Sequence, residues 1–183
     1  MIAASLVLLD PKKIEDQIYT YDTLKFRWSK TDLIHIKYKA PKEMPSFEEH
    51  VKYINSGKYK AIYKIMLENF PVGQIHLDNT NFTGTFLIPS LLKTAIKYFK
   101  SKNIFINHLD LTPKLFLDLA KRHTDVEVFY ASVNPNNTLS VNALSKYGYE
   151  PIETIFAMKF KNSLPVYQNN INSEACKRYN NEQ

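Results

Sequence analysis

Short apolar runs separated by polar turns dominate the chain, and their spacing switches between a two-residue and a helical period. The run "SLVLL" ends at Asp10-Pro11 and reads as a buried strand. Residues 11–38 are mixed and partly helical, with aromatic side chains at Tyr19, Tyr21, Phe26 and Trp28. A loop marked by Pro41 and Pro45 follows. "SFEEHVKYINSG" then opens on Ser46 with Glu49 three residues on, a capping box in which each side chain satisfies an orphan N–H at the helix start. Phe47, Val51 and Ile54 make its apolar stripe, and Gly57 suits its stop.

Two apolar runs flank Glu68-Asn69 in "YKAIYKIMLENFPVGQIHLD", which predicts a hairpin. Strict alternation in the second run puts Val72, Gln74 and His76 on one face and Gly73, Ile75 and Leu77 on the other. "GTFLIPS" reads as a further strand closed by Pro89. "SLLKTAIKYFKSK" reads as an amphipathic helix with Leu91, Leu92, Ala95, Ile96 and Phe99 on one side. "IFINHLDL" suggests a short strand, and "TPKLFLDLAKRH" a helix with Thr112 as cap and Pro113 at its first position. "VEVFYASV" is β-branched and aromatic, as strands are. "PIETIFAMKF" alternates from Ile152 to Phe160 and reads as one half-buried strand. The pattern predicts an α+β fold: one mostly antiparallel sheet flanked by helices, spanning residues 1–162, with 163–183 as a polar tail.

Composition narrows the chemistry. The single cysteine, Cys176, rules out an internal disulfide framework and a zinc site built from cysteines, and points to a reducing compartment such as the cytoplasm. The N-terminal apolar run is too short to span a bilayer and lacks a basic leader region. A formal charge of +6 suits an anionic partner such as a phosphorylated cofactor, a nucleotide-sugar or a nucleic acid. The lysines are spread as on a solvated face, with no dense basic arm, which argues against nucleic acid.

The stretch "NPNNTLSVNALSKYGYE" gathers polar groups where a strand end meets a helix start, a natural ligand mouth. Asn137 suits the N-cap, Ser140 lies one turn in, Val141 and Leu144 face the core, and Gly148 is free to end the helix with φ > 0. Val133, Pro135, Asn137, Ser140, Leu144, Lys146, Gly148 and Tyr149 are spaced as in the GNAT (Gcn5-related) N-acetyltransferases, which the chain resembles over residues 1–162. "SFEEHVKYI" and "PVGQIHL" are similar to the branch that acetylates amino groups of nucleotide-linked sugars, as in the pseudaminic-acid pathway.

The resemblance implies a splayed strand pair that admits acetyl-CoA as co-substrate and direct attack by a small amine, with a homodimer as one assembly. It implies cofactor contacts at Phe86, Leu87, Ile88, Asn137 and Lys146. The leaving-group tyrosine of many members is replaced here by Leu144, so Ser140 becomes the candidate proton donor. Candidates for the base are His76, Asp78, His50 and Glu49, His76 standing near the end of a central strand where the family keeps acceptor-side groups; a water relay is the alternative. The family's pyrophosphate loop is rich in glycine, and this chain's four glycines, Gly57, Gly73, Gly84 and Gly148, all lie elsewhere. One alignment lays the loop over Leu92, Lys93, Thr94, Ala95, Ile96 and Lys97, where only Ala95 fits and Lys93 adds charge. About a dozen surplus residues before Asn137 suggest an inserted strand–helix unit, whose helix, capped by Thr112, is the alternative cofactor helix. Two rival readings stand beside the acetyltransferase: a non-catalytic binding partner that keeps the fold, and acyl transfer onto protein or nucleic acid.

Overall fold

Glu68 and Asn69 turn the two longest strands back on each other, with Glu68 at φ 49°. These are β2 (Tyr59–Leu67) and β3 (Phe70–Asp78). The computed structural model describes residues 4–29, 43–106, 111–133, 138–146, 148–152, 155–161 and 164–165. Before the hairpin come β1 (Ala4–Leu8), α1 (Ile14–Ser29) and α2 (Phe47–Ile54). After it come β4 (Phe82–Leu87), α3 (Pro89–Ser101), α4 (Leu111–Arg122), β5 (Val128–Ser132), α5 (Thr138–Lys146), β6 (Glu150–Ile152), β7 (Ile155–Lys161) and β8 (Leu164–Pro165). The sheet runs β1-β2-β3-β4-β5-β7-β6, with β8 beside β7. Every pairing is antiparallel except β4 with β5.

One face of the sheet carries the main core. Ile65, Leu67, Ile75 and Leu77 pack there with Ala95 and Phe99 of α3, Leu115 and Leu119 of α4, and Phe129 of β5. Each large apolar side chain buried this fully contributes about 1.5–3 kcal/mol. The opposite face carries α1 and α2 over a smaller cluster of Leu9, Ile54 and Ile62, edged by Tyr19 and Tyr59.

Two irregularities shape that second face. A register shift between Ile65 and Met66 makes Val72 an extra residue on β3, and Val72 joins the main core with Ile75 and Leu77. Strict alternation would have placed it with Gln74 and His76. A second shift, between Tyr59 and Ala61, leaves Tyr59 against His76, their rings 4.9 Å apart.

Other expectations change in detail. "SLVLL" is an edge strand: Leu6 and Leu9 are buried, while Val7 and Leu8 face outward. Leu91 is exposed and does not join the buried stripe of α3. Residues 104–106 form no strand, and Phe105 is 84% exposed. The inserted helix begins at Leu111, so Thr112 and Pro113 lie inside its first turn. "PIETIFAMKF" is two strands, β6 and β7, paired antiparallel. Leu164 and Pro165, expected in a loose tail, pair with β7.

Candidate active site

Strands β4 and β5 pair over only two positions, Phe82 with Tyr130 and Thr83 with Ala131. Beyond Thr83, β4 continues to Leu87 with β3 alone as its partner. The Asn81 carbonyl accepts from the Tyr130 N–H on the β5 side, and the Ile88 N–H donates to the Val72 carbonyl on the β3 side. Alternation along the strand therefore aims the backbone groups of Thr85 and Leu87 toward the side that β5 has left. Among the described residues this is an opening between two strands, with the backbone of Thr85 and Leu87 lacking a strand partner on one wall. The Thr83 hydroxyl donates to the Tyr130 carbonyl at 3.0 Å and ties the strands together where the opening begins.

The helix at the mouth is α3, which starts at Pro89 directly after β4. Its N-cap, Ile88, offers no side-chain hydrogen bond. The Leu92 N–H already bonds to the Ile88 carbonyl, and Pro89 has no N–H. Among the described residues, the donors left free in this turn are the Ser90 and Leu91 N–H groups, both on exposed residues. The alignment over Leu92–Lys97 thus falls inside the helix rather than at its mouth. Ala95 is fully buried in the core, Leu92 and Ile96 are half-buried, and Lys93 and Thr94 face outward, with the Thr94 hydroxyl donating to the Ser90 carbonyl. The alternative helix, α4, packs toward the far edge of the sheet, where the Leu6 N–H donates to Asp118.

Over the opening, on the α1 side of the sheet, stands His76. Its cross-strand neighbour is Gly84, the residue after the last β4–β5 pair. The imidazole lies directly on Gly84: a Cβ there would come within 2.3 Å of the ring. The next residue on this face of β4 is Phe86, paired across the ladder with Gln74. The last turn of α1 reaches it: the Phe26 ring is 5.8 Å from that of Phe86, and the Arg27 guanidinium lies 5.3 Å from the Phe86 centroid. Burial lowers the Arg27 pKa from its ordinary value, and the Tyr59 hydroxyl opposes that shift. Burial first, then Tyr53, raises the Tyr59 pKa, so it stays a neutral phenol. The Gln74 Oε1 atom is buried with no hydrogen-bond partner among the described residues.

The remaining base candidates are engaged elsewhere. Asp78 Oδ1 accepts from the Thr80 N–H, the Thr80 hydroxyl and the Phe82 N–H, and so builds the β3–β4 turn. Glu49 closes the capping box, its Oε2 accepting from the Ser46 N–H at 2.8 Å. His50 is buried between α1 and α2 with its Nε2 3.0 Å from the Thr20 hydroxyl, and burial lowers its pKa. Asn137 lies outside the described residues. The backbone of Ser140 and Lys146 belongs to α5, but their side chains also lie outside the described set. The helix around them ends as expected, with Gly148 at φ 80° and Val141 and Leu144 packed on the main core.

No protein-family model matches the chain, and no curated protein is similar to it in sequence. Solved structures are similar in fold. RimL, a ribosomal alpha-N-protein acetyltransferase in complex with coenzyme A, superposes with a TM-score of 0.59 at 13% identity, over 87% of this chain and 98% of that one. The fold is the GNAT fold. The aminoglycoside acetyltransferase AAC(6')-Ib with coenzyme A and kanamycin gives 0.57 at 12% identity, over 97% and 99% of the two chains. The microcin C7 self-immunity acetyltransferase MccE with acetyl-CoA and AMP gives 0.54 at 12% identity, over 86% and 92%.

Within this GNAT fold, sequence reasoning missed Arg27, Tyr59 and Gln74. Periodicity could not find them, because a helix, a bulge and a strand bring them together from distant positions. One signal was present for Arg27. Only three of the 24 basic residues are arginine, Arg27, Arg122 and Arg178, so an arginine stands out in a chain that uses lysine for bulk charge. Among the described residues no group of three His, Cys, Asp or Glu is placed to hold a metal, and no helix is long and apolar enough to cross a membrane.

Proposed function

We propose that this protein moves an acetyl group from acetyl-CoA to the primary amine of a small acceptor, an amino sugar on a nucleotide being one such acceptor. The observation that carries this reading is the divergence of β4 from β5 after Thr83, with the backbone of Thr85 and Leu87 turned into the gap and His76 above it. The residues present fit the group: strand amides for the pantetheine arm, and the Ser90 and Leu91 N–H groups with nearby Lys93 for the diphosphate. The similar RimL, AAC(6')-Ib and MccE structures are complexes with coenzyme A or acetyl-CoA, which supports the same use here.

Acetyl-CoA supplies an activated acyl carbon and a thiolate leaving group. The chain does the rest. Thr85 and Leu87 hold the arm in extended register. His76 takes the proton that the acceptor nitrogen loses as its bond to carbon forms. Ser140 would be the group that supplies a proton to the leaving sulfur.

A thermal-shift titration with acetyl-CoA tests the reading, with coenzyme A and dephospho-coenzyme A as controls. Ligand at about a hundred times its dissociation constant adds roughly 2.7 kcal/mol, a rise of about 5–10 °C for a chain of this size. No shift at saturating ligand sinks it. The second reading, a GNAT fold kept as a binding partner without turnover, is favoured by Pro89 and Leu91 in the mouth of α3, where glycines would leave more room and an added N–H donor.

A further inference from the structure

We propose that the acceptor amine also carries an oxyanion, a carboxylate or a phosphate, and that Arg27 binds it; this rests on the acetyltransferase reading above. Arg27 differs both from the paired cations and from exposed lysines such as Lys52, Lys93 and Lys97, which have no ion pair among the described residues but stand in water. Lys25 pairs with Asp22, Lys60 with Asp125, Lys64 with Asp16 and Arg122 with Asp118. Arg27, half-buried in the last turn of α1, has no carboxylate within ion-pair distance among the described residues. Its described neighbours are the Phe86 ring and the neutral Tyr59 phenol. Asp78, at the end of β3, has its Oδ1 already committed to three donors in its own turn.

A guanidinium withdrawn from water without a counter-charge is unfavourable, and an oxyanion that arrives with the substrate removes that penalty. The position is functional, because Phe86 lies on the stretch of β4 that β5 has left. The same wall holds a second unsatisfied group. Gln74, opposite Phe86, keeps its Oε1 buried without a donor, and an amine N–H or a sugar hydroxyl is the donor it lacks. Among the described residues a cation and an acceptor on one wall both lack partners, and together they call for a ligand bearing an anion and an N–H or O–H. A polycation such as an aminoglycoside meets the opposite of what it needs at Arg27.

The test titrates wild type, Arg27→Met and Arg27→Lys with phosphoethanolamine, β-alanine and ethanolamine, by calorimetry and by acetyl transfer, with and without coenzyme A. The expected result is that phosphoethanolamine or β-alanine binds wild type more tightly than ethanolamine. Arg27→Met should erase that preference with a loss of about 10- to 100-fold, the range of a charge-assisted pair, and Arg27→Lys should keep part of it. Which probe wins names the oxyanion. Equal binding of all three probes by wild type, or a preference that survives Arg27→Met, overturns the proposal. Circular dichroism checks each fold; should Arg27→Met fail to fold, the ratio of the two anionic probes to ethanolamine in Arg27→Lys decides. Failure of coenzyme A to bind would remove the acetyltransferase reading alone, since the titrations without it still report the oxyanion preference.

Discussion

Gly73 and Gly84 lie on adjacent strands at the opening, and alanine at each should act in a different way. A Cβ on Gly73 would sit 2.2 Å from the Phe86 carbonyl oxygen and 2.9 Å from the Leu87 Cα. Both obstacles are backbone, so β3 and β4 must part by about 1 Å to restore contact distance. That strains the Ile88 N–H bond to the Val72 carbonyl, now 2.8 Å, and the Tyr19 hydroxyl bond to the Gly73 carbonyl, now 2.7 Å. Overpacking of this kind costs about 1–3 kcal/mol, and each weakened hydrogen bond about 1 more. A Cβ on Gly84 would instead meet the His76 ring at 2.3 Å, and a ring can rotate away at about 1 kcal/mol. The entropy that glycine loses on folding is common to both sites and cancels in the comparison. Gly73→Ala should therefore lower stability by about 3 kcal/mol, roughly 6–12 °C in melting temperature, and Gly84→Ala by about 1. Chemical denaturation of both variants measures this. Gly84→Ala made in a His76→Ala background should be neutral or slightly stabilising, because its only close contact is gone. Equal losses for the two glycines, or a Gly84→Ala penalty that survives removal of the imidazole, would refute the reasoning.

His50 and His123 both have pKa values lowered chiefly by burial, so the unfolded chain binds protons more readily. Their stabilising contribution is complete above the unfolded value of about 6.5 and is lost as pH falls from there through the folded values. His50→Gln should flatten part of that slope in melting temperature against pH, leaving the share from His123. The Tyr149 hydroxyl is buried, and its hydrogen-bonding neighbour is the Thr83 hydroxyl, whose own proton goes to the Tyr130 carbonyl; Tyr149→Phe should therefore lower stability by about 1 kcal/mol at most in a thermal melt. Alanine at Ser140 or Asn137 should cut turnover with amine and acetyl-CoA while circular dichroism is unchanged; unchanged turnover would remove both from the site.

Local signals carried far here. Ser46 and Glu49 form the capping box that their spacing predicts, and Glu68-Asn69 turns the hairpin. Gly148 ends α5 in the left-handed region. These features depend on side-chain-to-backbone bonds or on φ within a few residues, so a local reading finds them. The same logic explains where it stopped. His50 and Asp78 are the right residue types for a base, and each also holds a structural partner that residue type does not reveal: Thr20 thirty residues away, or the β3–β4 turn.

The chain by itself determined most element types and their order, though not the missing strand at 104–106 or the break of "PIETIFAMKF" into β6 and β7, because period, capping and turn chemistry act over short range. Only the tertiary structure decided which strands diverge, since pairing of β4 with β5 joins residues some 47 apart and ends where backbone geometry, not residue type, dictates. It also decided that bulges turn Val72 into the core and Tyr59 toward His76, and that α1 lays Arg27 on Phe86. A one-residue bulge reverses every facing beyond it, and a helix's end point depends on its crossing angle over the sheet, so neither is written in local pattern.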